Sequence, residues 1–209
     1  MDLDLIQPKQ KFLLTDISWD AYETILKVLQ NRPVRVTYDR GNLELISPSY
    51  RHQRYKTLIG RFINILAEER NIPLINAGST TFKRQDLERG LEPDECFYIQ
   101  NASAVVGKQE IDLTCDPPPD LAIEIDISTS SLNRISIYAA LGIPEVWCYD
   151  GITVKVYLLG EGKDGKPTQR LTFPFLALPE FMQFLREAEM VDDPTVFRSF
   201  RDWVKKGLR

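Results

Sequence analysis

Three carboxylates interrupt an apolar run at residues 117–131, PPPDLAIEIDISTSS. Asp120, Glu124 and Asp126 share one parity, whereas Leu121, Ile123, Ile125 and Ile127 share the other. Side chains alternate along a strand, so the isoleucine parity predicts a core face and the acids line the opposite one. That face is either wet or a site. At about 3.3 Å per residue, Glu124 and Asp126 stand roughly 6.7 Å apart, and Asp120 and Glu124 roughly 13 Å, too far to hold one ion together. A second acid must therefore come from a neighbouring strand, only about 4.8 Å away. Asp94 in LEPDECFYI follows a proline and opens such a strand near a sheet edge. Asp94, Glu124 and a backbone carbonyl such as that of Ile125 form an all-oxygen set of the kind magnesium or manganese accepts, with water completing the shell. An amphipathic strand with a solvated face is the plainer reading of the same residues.

The elements that must position these acids are marked by periodicity. Residues 17–32 carry apolar side chains at 22, 25, 26 and 29, a helical spacing closed by Pro33. VRVTYDRGNLELI alternates on both sides of residues 39–42 and predicts a hairpin. A long helix follows from about residue 50 to 71, with Tyr55, Leu58, Ile59, Phe62, Ile63 and Leu66 on one stripe. Residues 74–83 read as one or two strands around Gly78, 86–90 as a charged loop, and 94–99 as a strand. Beyond the acid-bearing strand, Ser-Thr-Ser-Ser offers helix caps, and a helix runs to Gly142 before Pro144. EVWCYD and TVKVYLL pair as a hairpin around Asp150-Gly151, and residues 181–189 and 194–206 read as terminal helices.

With 209 residues and 43% hydrophobic content, the chain can bury a full core and is expected to form a single domain over 1–209. No leader-like h-region or apolar run of membrane-spanning length occurs, which points to a cytoplasmic protein with no membrane partner. Cys96, Cys115 and Cys148 are odd in number and lack histidine clusters, so they suit neither a disulfide framework nor zinc. The net charge of -4 argues against a purely electrostatic DNA coat. Two stretches are locally basic: Arg51, Arg54, Lys56, Arg61 and Arg70, and later Arg198, Arg201, Lys205, Lys206 and Arg209. They are the wet faces of helices or, failing that, the best candidates for phosphate contact.

Two further motifs carry less. GEGKDGKP matches a phosphate loop up to its last position, where Pro167 replaces the hydroxyl that magnesium needs, so a hairpin turn is expected. The single histidine, His52, opens the long helix without a partner nucleophile and reads as an incidental surface or helix-end residue.

Taken in order, DRGNLELISPS, GSTTFKR, GLEPDE, DPPPDLAIEIDIS and SSLNRISIYAALGIPEVW resemble the Uma-type family of restriction endonuclease-like proteins, within the PD-(D/E)XK nuclease superfamily. The likeness spans about residues 12–204. It implies an α/β fold with a restriction endonuclease-like αβββαβ core at about 50–150, a mixed central sheet, an added N-terminal helix-hairpin and C-terminal helices. It also implies that Asp94 and Glu124 bind Mg2+ or Mn2+. The superfamily lysine position is Asp126 here, and the matching basic residue lies on the next helix as Arg134. A guanidinium stays charged and cannot serve as a base, so Arg134 is expected to clamp the scissile phosphate. Gln53 stands where related proteins often carry Glu, and with Asp126 it is a secondary participant.

The expected function is thus a divalent-metal-dependent DNA endonuclease, with a homodimer as the candidate assembly because a duplex presents two strands. The alternative is a nuclease fold kept as a nucleic-acid-binding or regulatory module with an impaired site. A structural homodimer without any nucleic-acid role is a third reading.

Overall fold

The computed structural model describes residues 10–30, 32–125, 130–159 and 172–207. Asp126 and the GEGKDGKP segment lie outside them. In chain order the elements are β1 (Gln10–Leu14), α1 (Trp19–Leu29), β2 (Arg35–Asp39), β3 (Asn42–Ser47), α2 (Tyr50–Arg70), β4 (Ile75–Asn76), β5 (Phe82–Arg84), β6 (Arg89–Leu91), β7 (Glu95–Tyr98), α3 (Ala102–Val105), β8 (Leu121–Ile125), α4 (Arg134–Ala140), β9 (Glu145–Tyr149), β10 (Val154–Leu158), α5 (Leu178–Glu187) and α6 (Asp193–Gly207).

These form an α/β fold with two five-stranded sheets, ordered β1-β3-β2-β6-β5 and β10-β9-β8-β7-β4. The first is antiparallel throughout. The second is mixed, because β8 and β9 run parallel while its other pairs are antiparallel. A parallel pair needs a crossover, and α4 supplies it. The expected αβββαβ order is realised by α2, β4, β7, β8, α4 and β9. The expected N-terminal helix-hairpin is enlarged: β1 joins one side of it, and β5 and β6, inserted between β4 and β7, join the other. The charged loop read at 86–90 is therefore corrected to a short 3-10 turn at Gln85–Leu87 followed by β6.

Local chemistry explains these boundaries. The β2–β3 hairpin turns through Arg40 and Gly41, both at positive φ, the two-residue turn that suits strand twist. Ser49 caps α2 by accepting from the His52 N–H, and Asn71 ends it in the left-handed region. Asn133, rather than the serines before it, caps α4 through the Ser136 N–H.

The stripe on α2 buries Leu58, Ile59, Phe62, Ile63 and Leu66 against Leu121, Ile123 and Ile125 of β8, with α5 and α6 completing the cluster. Phe62 lies against the rings of Phe181, Phe197 and Phe200. The opposite face of β8 is also covered. Ala122 packs with Ile137, Tyr138 and Val146, and with Phe82 and Leu91 from β5 and β6. The parity reading of β8 holds, but its acid face meets protein rather than water. No helix among the described residues is long and apolar enough to cross a membrane. Cys96 and Cys148 are buried and Cys115 is exposed, all as free thiols.

Candidate metal centre

The register of β7 on β8, with Glu95 opposite Ile123, carries Asp94 alongside Glu124. The Asp94 N–H donates to the Ile123 carbonyl at 3.1 Å, and its Oδ2 accepts from the Ile125 N–H at 2.7 Å. Both acids are enclosed: Asp94 is 2% exposed and Glu124 0%. One cation reaches both of them. Arg35 Nη1 lies 3.1 Å from Asp94 Oδ1, and Arg35 Nη2 lies 2.8 Å from Glu124 Oε2. The two carboxylates thus share one guanidinium, each through its own nitrogen.

Arg35 comes from the other sheet. On β2, Val36 and Tyr38 face the cluster around Tyr22 and Leu43, so Arg35 and Thr37 face the acids. Arg134, at the start of α4, donates from Nε to Glu124 Oε1 at 3.0 Å and from Nη2 to the same oxygen. Its Nη1 donates to Thr37 Oγ1 and its Nη2 also to the Glu92 carbonyl at 2.7 Å. Tyr138, one turn further along α4, donates its hydroxyl to Glu124 Oε1. At 3% exposure Arg134 here serves Glu124 rather than an open phosphate position.

His52 requires a correction. It is neither exposed nor incidental: at 5% exposure, its Nε2 is 2.6 Å from Asp94 Oδ1. The Ser49 cap fixes the first turn of α2 so that residue 52 faces the start of β7. Because Asp94 is ionised, Nε2 carries the proton and donates. Gln53, one residue on, is exposed, and among the described residues no hydrogen bond joins its side chain to either acid.

Burial opposes the charge on Asp94, but Arg35, His52 and the Ile125 N–H outweigh it and lower its pKa to about 2. Burial likewise opposes the charge on Arg134, yet Glu124 more than compensates and raises its pKa. The Tyr138 hydroxyl is pushed well up by burial and by Glu124, which keeps it a donor. Asp120, just before β8, is structural. It accepts from the Ile99 and Asn101 N–H groups and the Asn101 amide, anchoring the turn before α3.

The basic stretch on α2 is largely neutralised from within, and two residues of the C-terminal one are paired as well. Arg51 pairs with Glu189, Arg54 with Asp193, Arg61 with Glu68, and Arg201 with Glu68 and Glu69. Lys205 lies near Glu69. Apart from Arg61–Glu68, which lies within α2, they tie α2 to the C-terminal segment, which favours the solvated-face reading. A cleft of about 790 Å³ borders Val36 and Glu92, with Lys27, Arg32 and Lys83 among its lining, but neither acid opens into it.

Among the described residues no group of three or more His, Cys, Asp or Glu is arranged to hold a metal ion. All four carboxylate oxygens of Asp94 and Glu124 already accept from protein donors. The donors are hard oxygens, the class that divalent cations such as magnesium take, and the Arg35 guanidinium stands between them.

A family model, Uma2, described as "Putative restriction endonuclease", matches residues 19–189. No curated protein matches the chain. Among solved structures, a protein from Anabaena variabilis described as a "putative nuclease belonging to DUF820" is 16% identical. It superposes with a TM-score of 0.49 over 87% of this chain and 97% of its own.

Proposed function

The chain belongs to the Uma2 family of restriction endonuclease-like proteins, and on that premise we propose that it hydrolyses phosphodiester bonds in DNA with Mg2+ or Mn2+ held by Asp94 and Glu124. One observation carries the reading: a single guanidinium touches both acids, so carboxylates from two neighbouring strands address one positive charge. The Ile125 carbonyl is a third candidate oxygen. When bound, the cation supplies electrophilic activation of the phosphate and of water.

The chain's own residues do the rest. His52 and the Ile125 N–H hold the Asp94 carboxylate in place and ionised. Arg134 and Tyr138 do the same for Glu124 Oε1. Arg134 reaches phosphate in this scheme by exchanging its Glu92 carbonyl partner for a phosphate oxygen, placing positive charge where the transition state gains negative charge. Gln53 and Asp126 remain secondary candidates. A cytoplasmic homodimer, setting one such site against each strand of a duplex, belongs to the same proposal.

The test is conversion of supercoiled plasmid to nicked or linear forms in Mn2+, with EDTA and Glu124→Gln as controls. The expected loss in the variant is about a hundredfold or more. Cleavage that survives it removes Glu124 from the mechanism.

A second reading, a nuclease fold acting as a nucleic-acid-binding or regulatory module, is favoured by the full internal satisfaction of both acids. It predicts duplex binding without cleavage and no saturable Mn2+ binding that depends on Asp94.

A further inference from the structure

Arg35 takes no part in the scheme above, yet it lies closest to both acids at once. Its Nη1 and Nη2 span Asp94 and Glu124 at 3.1 and 2.8 Å, and Nη2 also donates to the Glu92 carbonyl at 2.9 Å. Among the described residues its buried Nε finds no acceptor, so the side chain is held by its tip alone. At 13% exposure it is the most accessible group of the cluster, against 3% or less for Arg134 and both acids.

Charge counting makes the consequence concrete. Among the directly ion-paired groups, Asp94 and Glu124 contribute two negative charges and Arg35 and Arg134 two positive ones, so this metal-free quartet is neutral. Adding a divalent cation beside both guanidiniums would leave two uncompensated positive charges in a buried site, which is strongly unfavourable. With Arg35 withdrawn, the two acids, Arg134 and the cation sum to a single positive charge. That is the complement of one phosphodiester.

We propose that Arg35 is a built-in surrogate cation: its guanidinium occupies the metal position in the metal-free protein and closes the acids from solvent, so that Arg35 and a divalent ion exclude one another. This rests on the metal reading of Asp94 and Glu124 given above. The guanidinium and the ion then compete for the same carboxylate oxygens, and metal affinity is set by how tightly β2 holds Arg35 in place.

The experiment is calorimetric titration of Mn2+ into the metal-free full chain, for the wild type, Arg35→Gln, Arg35→Lys and Arg35→Gln combined with Asp94→Asn, alongside thermal melting in EDTA and in Mn2+. Removing the competitor is expected to tighten Mn2+ binding by about tenfold or more, with Arg35→Lys intermediate because one ammonium cannot span both carboxylates. Arg35→Gln should melt below the wild type in EDTA and gain more from Mn2+, and the Asp94→Asn combination should abolish the effect. Should Arg35→Gln not remain folded in EDTA, the wild type and Arg35→Lys carry the comparison. Equal or weaker binding in the Arg35 variants, still lost on Asp94→Asn, overturns the competition and leaves the nuclease reading standing. No Asp94-dependent binding in any protein overturns both.

Discussion

Glu124 is buried between two guanidiniums and a tyrosine hydroxyl, so removing its charge strands Arg134 without a carboxylate partner and leaves Arg35 with Asp94 alone. Breaking one side of such a buried pair costs about 3–5 kcal/mol. Urea unfolding of Glu124→Gln in EDTA is expected to show a loss of that size, and a change below about 1 kcal/mol would mean the cluster is open to water. Asp94 gives the pH dependence. Its folded pKa of about 2 lies below the ordinary 3.8, so its ionised form favours the fold. That contribution is complete above the unfolded value and is lost as pH falls through about 2. For this one group the loss between pH 5 and pH 3 is about 1 kcal/mol in metal-free protein. Asp94→Asn should flatten the acid limb of the stability curve by that amount. The two acids were legible because strand parity and the short distance between neighbouring strands demand a partner for Glu124. Arg35 was not. A polar residue on an alternating strand looks the same whether its face meets water or a second sheet, and His52 was hidden because only the Ser49 cap fixes which way the first turn of α2 points.

The hairpins and long helices were readable from periodicity and turn residues, since Asp39–Asn42 and Asp150-Gly151 leave few backbone choices. β6 was not, because Arg89-Gly90-Leu91 has the composition of a loop. Its glycine is required by packing. A Cβ at Gly90 would collide with the Tyr22 hydroxyl, which finds no partner among the described residues. Gly90→Ala is therefore expected to destabilise by about 1–3 kcal/mol. Tyr22→Phe should be neutral or slightly stabilising, and combining the two should recover part of the loss, all by urea unfolding. The contact between α2 and α6 rests on apolar packing more than on its ion pairs. Arg201→Ala should cost about 1 kcal/mol or less, and less still in high salt, because its partners are partly exposed. Phe62→Ala, which empties space among Phe181, Phe197 and Phe200, should cost about 3–5 kcal/mol.

Across the whole molecule, the candidate centre is where the two sheets meet. Arg35 and Thr37 of one sheet contact Asp94 and Glu124 at the other and Arg134 of α4, while Glu44 on β3 accepts from Ser131 N–H at 2.5 Å and from the Ser130 hydroxyl at 2.6 Å just before α4. This meeting of sheets could not be read from the chain, because it depends on β5 and β6 leaving one sheet for the other. The basic face of α2 is mostly neutralised by the chain's own acids, so metal-free protein is expected to bind duplex weakly with a shallow salt dependence, and more tightly in Mn2+. The most direct test is a Mn2+-soaked crystal examined by anomalous scattering. The account predicts one manganese per chain bonded to both Asp94 and Glu124, with the Arg35 guanidinium withdrawn from between them. An empty site with Arg35 still bridging the acids at saturating Mn2+, or manganese bound only elsewhere, would contradict it.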